Sequence, residues 1–446
     1  MSARNQIIIL FILILCQSLI PSIVFAVDYP VVDTNQQDAY NDGDPISAPG
    51  ETDSFYGQDS QYSGYQPCYE DNGDGTVSDT VTGLMWTQDP GSRVSWSQGI
   101  SNVDSLNDEN FAGYDDWRVP TVKELYSLIL FSGTDVSSAM DSTDGAESFI
   151  ANTYFSFAYG ESPWRFIDAQ YISSTVYTGT VMEDQSAFFG VNFADGRIKG
   201  YGKDSSTEQY YAHYVRGNEK YGINDFSVDG NLVTDASTGL VWMKEDSGGS
   251  GMVWEDALNY CEDLEVDGYT DWRLPNAKEL QSIVDYTRSP DETNSASIAE
   301  VFNATGITNE AGEDDFPWYW TSTTHVLYET DDAPIDAFAG AAVYIAFGRS
   351  LGNYYGDGNW IDVHGSGSQR SDPKTGDPDE YEDGWGPQGD AIRIYNHVRC
   401  VRGGGESSAC DDLTTTSKAP NLGQWFTAFG FTILFATYTF LHNQIF

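Results

Sequence analysis

The chain has 446 residues, with 21 Lys and Arg against 68 Asp and Glu, which gives a formal net charge of −47. At the usual size of about 150 residues per domain, this length predicts two or three domains. Aromatic residues make up 14% of the chain and hydrophobic residues 40%, too much for a disordered protein. The negative charge excludes nucleic-acid binding through a general basic face and disfavours acidic lipid surfaces.

Residues 1–26 have the pattern of a secretory signal peptide. Arg4 supplies the basic start, the run 7–15 is unbroken and apolar, and residues 24–26 end in a small residue suited to cleavage. An uncleaved anchor is the alternative, but Pro21 and neighbouring polar residues interrupt the apolar run. We therefore expect export.

A second apolar stretch, 422–441, is long enough to span a bilayer. No Lys or Arg follows it, although spanning helices usually carry basic residues on the cytoplasmic side. Small residues at 407–409 and a polar spacer over 404–421 also fit a GPI-attachment signal. Cleavage there would discard Cys410, the residue that is free to pair with Cys68. We therefore predict a retained transmembrane helix, with a GPI anchor as the alternative, and both place the chain at the cell surface.

The chain between these ends contains two copies of one unit, preceded by an acidic lead-in over 27–67. The copies cover 68–217 and 222–403 and share their motifs in the same order, until the second copy gains an insertion over 353–396. The run Thr-Gly-Leu-x-Trp begins at Thr82 and Thr238, Asp-Trp-Arg-x-Pro at Asp116 and Asp271, and Lys-Glu-Leu at Lys123 and Lys278. This repetition predicts two tandem domains, each large enough for its own core.

Each copy has the pattern of an α+β domain. Asp74-Gly75 and Asp229-Gly230 lie between β-prone runs and predict hairpin turns. The later half of each copy holds short aromatic and β-branched runs separated by Gly, Asp and Asn, which predict strands. The expected order is a hairpin, two helices and a mostly antiparallel sheet.

Two helices are predicted in each copy. Apolar residues at helical spacing begin at Trp96 in the first copy and at Trp254 in the second. A second helix follows each Arg-x-Pro. Its start has the spacing of a capping box, with Thr121 and Glu124 in the first copy and Asn276 and Glu279 in the second.

These motifs resemble the Lcl C-terminal domain family. The resemblance rests on the Thr-Gly-Leu-x-Trp turn, the Asp-Trp-Arg-Leu-Pro-x-x-Lys-Glu-Leu helix start and the closing Val-Arg-Cys-Val-Arg-Gly, and it covers both copies; residues 29–66 resemble the lead-in of some members. A more distant similarity to formylglycine-generating enzymes lies in Arg-Leu-Pro before a capped helix and in Arg-Cys-x-Arg. Together they imply a C-type-lectin-like fold for each copy. Some family members are implicated in binding sulfated polysaccharides.

The repeat predicts a disulfide between Cys261 and Cys400. The aligned residues of the first copy are Val103 and Tyr214, so both cysteines are absent together. Joint absence is expected of a disulfide, because a lone partner would leave a free thiol in an oxidising compartment. The chain-entropy model gives such a bond about 4–5 kcal/mol of stabilisation.

No catalytic constellation is recognisable. No Gly-x-Ser-x-Gly motif occurs, and carboxylate pairs are uninformative in a chain with 68 acidic residues. Cys400 is assigned to the disulfide, so the reactive cysteine pair of formylglycine-generating enzymes has no counterpart. We expect no enzymatic activity, no catalytic residues and no cofactor. The five histidines show no zinc-ligand spacing: His213, His325, His364, His397 and His442.

Calcium is the cation with the best sequence support. Glu70-x-Asn72-x-Asp74-Gly75 resembles the start of a calcium loop, but Val81 stands where a bidentate Glu is required, so a hairpin is favoured. The insertion carries a larger acidic cluster, for which a solvated loop is expected and calcium is the first ion to test. The sugar-binding triplets Glu-Pro-Asn and Gln-Pro-Asp are absent. The cluster comprises Asp377, Asp379, Glu380, Glu382, Asp383 and Asp390.

The expected function is non-enzymatic recognition or adhesion at the cell surface. The pairs Trp117-Arg118 and Trp272-Arg273 are expected to serve the core and an ion pair rather than a ligand. A neutral glycan or a surface protein is the expected partner, since the charge of −47 repels sulfated polysaccharides unless a basic patch or calcium intervenes. The alternatives are an extracellular polysaccharide-active enzyme with a carboxylate pair and a structural cell-surface spacer.

Overall fold

The computed structural model describes residues 27–139, 142–205, 207–328 and 339–405, and these form a mixed fold with more sheet than helix. The lead-in contains β1 (Ala39–Tyr40) and β2 (Pro45–Ile46). The first copy comprises β3 (Tyr69–Asp71), β4 (Thr76–Asp79), β5 (Leu84–Thr87), α1 (Trp96–Asp108), α2 (Val122–Tyr126), β6 (Gln170–Tyr171), β7 (Val176–Val181), β8 (Gln185–Asn192), β9 (Arg197–Gly202) and β10 (Val215–Gly217).

The second copy repeats this order with additions after its second helix. It comprises β11 (Phe226–Asp229), β12 (Leu232–Asp235), β13 (Leu240–Met243), α3 (Trp254–Glu262), α4 (Ala277–Ser282), α5 (Pro290–Thr293), β14 (Ile307–Thr308), β15 (Asp314–Asp315), β16 (Trp318–His325), β17 (Ala341–Ala346), β18 (Leu351–Gly352), β19 (Ile361–Asp362), β20 (Gln369–Pro373) and β21 (Val401–Gly403). The α+β class predicted from the sequence is confirmed.

Each copy begins with a small antiparallel sheet that its own last strand completes. The strand order is β10-β5-β4-β3 in the first copy and β21-β13-β12-β11 in the second. Val233, Trp242 and Val401 lie side by side across the second sheet and are fully buried. The predicted hairpin turns are present, with positive φ at Gly75 and Gly230, a conformation that glycine adopts without steric cost. The end of each copy is therefore fixed to its beginning.

The second helix of each copy begins at the predicted capping box. The Thr121 hydroxyl accepts a hydrogen bond from the Glu124 N–H, and the Glu124 carboxylate accepts one from the Thr121 N–H at 2.8 Å. Asn276 and Glu279 make the same reciprocal pair at the start of α4. These bonds satisfy backbone donors that a helix N-terminus otherwise leaves unpaired.

The two copies share one central sheet. Its strand order is β16-β17-β20-β9-β8-β6, with β7 also paired to β8. The first copy supplies β6 to β9 and the second supplies β16, β17 and β20. The copies meet where β20 pairs antiparallel with β9, with Gln369 opposite Ile198. The largest buried cluster is centred on the first copy but includes Ala277 and Val343 of the second. The two copies are therefore joined through their backbones and their cores.

Two parts of the acidic lead-in, within 29–40 and 57–59, are buried between the two copies, whereas residues 41–54 lie at or near the surface. The Gln36 amide donates to the carbonyls of Phe131 in the first copy and Thr324 in the second, and its oxygen accepts from the Thr324 N–H at 2.8 Å. Asp59, also buried, accepts from the Thr323 hydroxyl at 2.5 Å. Burial raises the pKa of Asp59 to about 7. The buried parts of the lead-in thus belong to the interior of the fold.

Two equivalent lysines link the copies reciprocally. The Lys123 ammonium donates to the Ser282 carbonyl at 2.6 Å, and the Lys278 ammonium donates to the Ser127 carbonyl at 2.9 Å. Ser127 and Ser282 occupy matching places, three residues after the capping Glu of each copy. Each lysine therefore binds the same carbonyl of the opposite copy, which gives this contact approximate two-fold symmetry.

Among the residues that the structure describes, no helix is both long and apolar enough to cross a bilayer. The predicted signal peptide at 1–26 and the predicted membrane segment at 422–441 both lie outside the described residues.

Candidate functional site

The Trp-Arg pairs form part of the structural frame, as the sequence predicted. Trp117 and Trp272 are 2% and 1% exposed. The Arg273 guanidinium makes two hydrogen bonds of 2.6 Å to the carboxylate of Glu279, which also caps α4. Arg118 forms the equivalent pair in the first copy. Fork-like pairing of this kind holds the Arg-x-Pro segment against the helix start.

The predicted disulfide between Cys261 and Cys400 is present, with a Cα–Cα distance of 5.5 Å. It joins α3 to the segment that leads into β21. In the first copy the Tyr214 hydroxyl donates to the Gly99 carbonyl of α1 at 3.0 Å, so a hydrogen bond links the matching elements. Cys410, the residue with which a pairing of Cys68 was considered, lies outside the described residues.

The described histidines are buried, while His442 lies outside the described residues. Burial lowers the pKa of His213 and of His364 to about 4, which keeps both rings neutral at neutral pH. His325 contacts Asp135 at 3.1 Å. Within the described ranges, no group of three or more His, Cys, Asp and Glu side chains is placed to hold a metal ion.

The calcium-like motif forms the favoured hairpin. The Asn72 amide donates to the Thr76 hydroxyl at 2.9 Å, and Asp74 accepts from both the backbone and the hydroxyl of Thr76. These side chains therefore serve the turn itself.

The structure separates the acidic cluster of the insertion. Asp390 is half-buried in an ion pair with Arg370 and contacts His364 at 2.9 Å. Asp377 caps a short turn by accepting from the Asp379 N–H at 3.0 Å. The remaining acidic residues lie on the surface: Asp379, Glu380, Glu382 and Asp383.

The strongest candidate site is a cavity of about 460 Å³ in the second copy. The insertion forms one wall, and the start of β16, the β14 strand and the loop before α3 form the others. Its volume is within the range of ligand sites, roughly 300–1,000 Å³. The aromatic side chains that line it are Trp318, Trp360, Tyr381 and Tyr395, and the charged ones include Glu310, Asp379, Glu382 and Arg393.

An ordered stack forms the floor of the cavity. Trp318 lies parallel to Tyr344, with ring centroids 4.5 Å apart, and the Arg393 guanidinium lies 3.8 Å from the centroid of the Trp318 ring. Arg393 also makes two hydrogen bonds to Glu310, at 2.8 and 2.9 Å. Burial would raise the pKa of Glu310, but the charge and hydrogen bonds of Arg393 outweigh it and lower the pKa. Glu310 is therefore held ionised.

A strained turn carries the lining residues Arg393 and Tyr395. Ile394 has a φ of 61°, and the Tyr395 N–H donates to the Arg393 carbonyl at 2.6 Å, which closes a γ-turn of the rare strained kind. The buried carboxylate of Asp372 holds this turn by accepting from the backbone N–H groups of Arg393 and Ile394 and from the Asn396 amide. Burial raises the pKa of Asp372 to about 6. Strain of about 1–3 kcal/mol persists only where the surroundings enforce it, and such turns cluster at binding sites.

Gly251 lets this turn approach the loop before α3. Its φ is 73°, and a Cβ atom there would lie 2.1 Å from the Tyr395 carbonyl oxygen. The matching residue in the first copy is Arg93, whose guanidinium lies over Trp164 at 4.7 Å and over Tyr211 at 4.8 Å. Tyr211 is the counterpart of His397, a cavity-lining residue in the second copy. The first copy thus has a side chain at the position where the second copy has a close approach of the backbone.

The sequence singled out two lining residues, Asp379 and Glu382, as members of an acidic cluster to test with calcium, and it predicted no lining residue as glycan-binding. Trp360, Tyr381 and Tyr395 all fall in or beside the insertion, and Gly251 replaces an arginine of the first copy. Two features of the sequence could have indicated the cavity: the aromatic residues of the insertion and the glycine at 251 in place of an arginine.

Comparison with known proteins identifies the family. The model of the Lcl C-terminal domain matches residues 75–216 and again residues 231–358. No curated protein and no solved structure shows significant similarity to the chain. The first matched range covers nearly all of the first copy, the second covers the second copy up to residue 358, and together they span more than half of the sequence. The chain belongs to the Lcl C-terminal domain family and carries two copies of that domain in tandem.

Proposed function

We propose that the protein is a non-enzymatic recognition protein of the cell surface and that its second copy binds a glycan. The observation that carries this proposal is the aromatic-lined cavity of about 460 Å³ between the insertion and β16. Sugar rings combine an apolar C–H face, which packs on aromatic rings, with hydroxyl groups that need hydrogen-bonding partners. The cavity offers both, since Tyr381 and Tyr395 stand beside charged and hydroxyl-bearing side chains.

Binding without catalysis is favoured by the state of Glu310. A glycosidase needs one carboxyl group that is protonated and able to donate its proton to the leaving oxygen. Glu310 is ion-paired with Arg393, which lowers its pKa, so it is unsuited to that role. The rival enzyme function predicts release of shortened sugars from a bound polysaccharide, whereas recognition predicts binding without product.

Export and membrane attachment are part of the proposal. The Cys261–Cys400 disulfide is typical of an oxidising compartment outside the cytosol. The apolar stretches at 1–26 and 422–441 have the patterns of a signal peptide and a membrane helix, with a GPI signal as the alternative for the latter. We also propose the C-type-lectin-like fold for each copy, on the strength of the Arg-Leu-Pro helix start and closing Arg-Cys-x-Arg.

A glycan array with the purified protein, run with and without calcium, tests the proposal. Binding should be lost in Trp360→Ala, because this side chain lines the cavity. It should survive in Trp164→Ala, a matched control on the first copy that is 40% exposed. Absence of binding to any glycan, or equal loss in both variants, would refute a glycan site in the cavity.

A further inference from the structure

We propose that the cavity of the second copy takes a sugar that carries a free, protonated amine, such as a unit of a glucosamine polymer. This inference rests on the proposed function, because it assumes that the cavity binds a glycan. It adds the chemical class of that glycan and the residues that select it.

The first argument is charge. Arg393 is the positively charged residue that lines the cavity. Its charge is compensated by the bidentate ion pair with Glu310. Asp379 and Glu382 also line the cavity, are exposed and make no ion pair within the described part of the chain. Burial lowers the pKa of His397, so this lining residue adds no positive charge at neutral pH. Two negative charges at the cavity therefore remain for a cationic group of the ligand.

The second argument is hydrogen-bonding capacity. Asn396 lines the cavity and is 1% exposed, and its side-chain oxygen has no hydrogen-bond partner within the described residues. Arg393 likewise keeps its Nη1 nitrogen without one. An ammonium group supplies three donors and no acceptor, and sugar hydroxyl groups supply both. An amine-bearing sugar matches this mixed set, whereas a linear polyamine offers nothing to the free nitrogen of Arg393.

The third argument is the disposition of the aromatic rings. Trp318 is covered by Tyr344 on one face and by Arg393 on the other, so it forms the floor. Tyr395 is 46% exposed, and Trp360 and Tyr381 stand on the insertion side. A ring face within about 6 Å of a cation attracts it, so rings that pack a sugar also favour a protonated amine on that sugar.

Anionic sugars fit poorly here. The carboxylates of Asp379 and Glu382 and the net charge of −47 repel sulfate and uronate groups. The two acids that select a protonated amine therefore also reject sulfated chains.

Titration calorimetry with three matched tetrasaccharides tests the inference: β-1,4-linked glucosamine, its fully N-acetylated form and the glucose equivalent. The measurements are made at a pH where the amine is protonated and surface carboxylates are ionised. We expect the glucosamine form to bind at least about tenfold more tightly than the other two, a difference of about 1.4 kcal/mol. Added salt should reduce this preference.

The double variant Asp379→Asn, Glu382→Gln should abolish the preference while leaving weak binding of all three sugars. The matched control is Glu380→Gln, Asp383→Asn, which removes the same charge from exposed acids of the same segment that do not line the cavity. Equal affinities for the aminated and acetylated forms would overturn the amine inference but leave glycan binding intact. Binding of spermidine as tightly as the glucosamine form would overturn the choice of a sugar. Failure of all three sugars together with a negative array would overturn the proposed function itself.

Discussion

The two copies keep one frame and differ around the cavity of the second copy. Both have the capping box, the Trp-Arg pair and the inter-copy lysine. The second copy has Gly251 in place of Arg93, a disulfide in place of Val103 and Tyr214, and an inserted wall over 353–396. The comparison teaches that a duplicated domain can gain a cavity beside an inserted segment, while the elements that hold the copies together remain.

The largest expected effect concerns the disulfide, which the second copy has and the first copy lacks. The double variant Cys261→Ala, Cys400→Ala should lower the free energy of unfolding by about 2–5 kcal/mol, because the unfolded chain gains freedom and a buried contact is lost. Urea denaturation followed by tryptophan fluorescence measures it.

The matched control for this effect is Val103→Ala, at the position of the first copy that corresponds to Cys261. It should cost roughly 1 kcal/mol, as is typical of a partly buried truncation. Similar losses in the two proteins would mean that the disulfide adds nothing beyond packing.

A second test makes the second copy resemble the first at the cavity. Gly251→Arg places a side chain where φ is 73° and where the Tyr395 carbonyl leaves no room for a Cβ atom. We expect a loss of about 1–3 kcal/mol of stability from strain and the loss of glycan binding on the array.

Two control variants show whether a loss of binding in that test comes from backbone strain alone or from the side chain at position 251. Gly248→Ala also has a positive φ, 60°, but no atom lies within 4 Å of its Cβ position and the residue does not line the cavity, so this variant should retain binding. Arg93→Gly in the first copy should leave binding unchanged. Retention of binding in Gly251→Arg would show that the strained turn over 393–395 does not shape the site.

The smallest expected effect is the difference in pH dependence between the two lysines. Burial lowers the pKa of Lys278 from 10.5 to about 7 and that of Lys123 from 10.5 to about 8. Between these folded values and the unfolded value, the folded protein binds fewer protons than the unfolded chain, so each lysine makes the free energy of unfolding rise with pH. One fully shifted group contributes about 1 kcal/mol per pH unit.

Chemical denaturation at a series of pH values checks this expectation. Lys278→Met should remove the rise beginning near pH 7, and Lys123→Met should remove only the part beginning near pH 8. Both windows should end as pH approaches 10.5. Identical pH profiles for the two variants would mean that the environments of the two lysines are equivalent.

Local features were predictable because they depend on neighbours in sequence. The capping boxes at Thr121 and Asn276 and the turns at Gly75 and Gly230 need only a few adjacent residues. The Cys261–Cys400 disulfide was predictable because the first copy provided an internal comparison.

Features that join distant segments were not predictable in the same way. The pairing of Gln369 with Ile198 joins strands of different copies, and no turn between them fixes the register. The burial of Gln36 and Asp59 was also not predicted. The lead-in has an acidic composition, and the groups that form hydrogen bonds with these two side chains lie far along the chain. The cavity depends on how the insertion folds back beside Trp318, which repeat alignment cannot show because the first copy has no insertion.

The contacts of Gln36 also set the order in which the chain can fold. Its amide bonds to Thr324, a residue 288 positions later, so the lead-in cannot complete its hydrogen bonds until most of the second copy has been synthesised. Until then, the contacts that the first copy makes with the second copy through the lead-in cannot form. Contacts between such distant residues slow folding, because the entropy of closing the loop is lost before the contact forms. The segment that is made first among the described residues thus completes its hydrogen bonds only after Thr324 has been made.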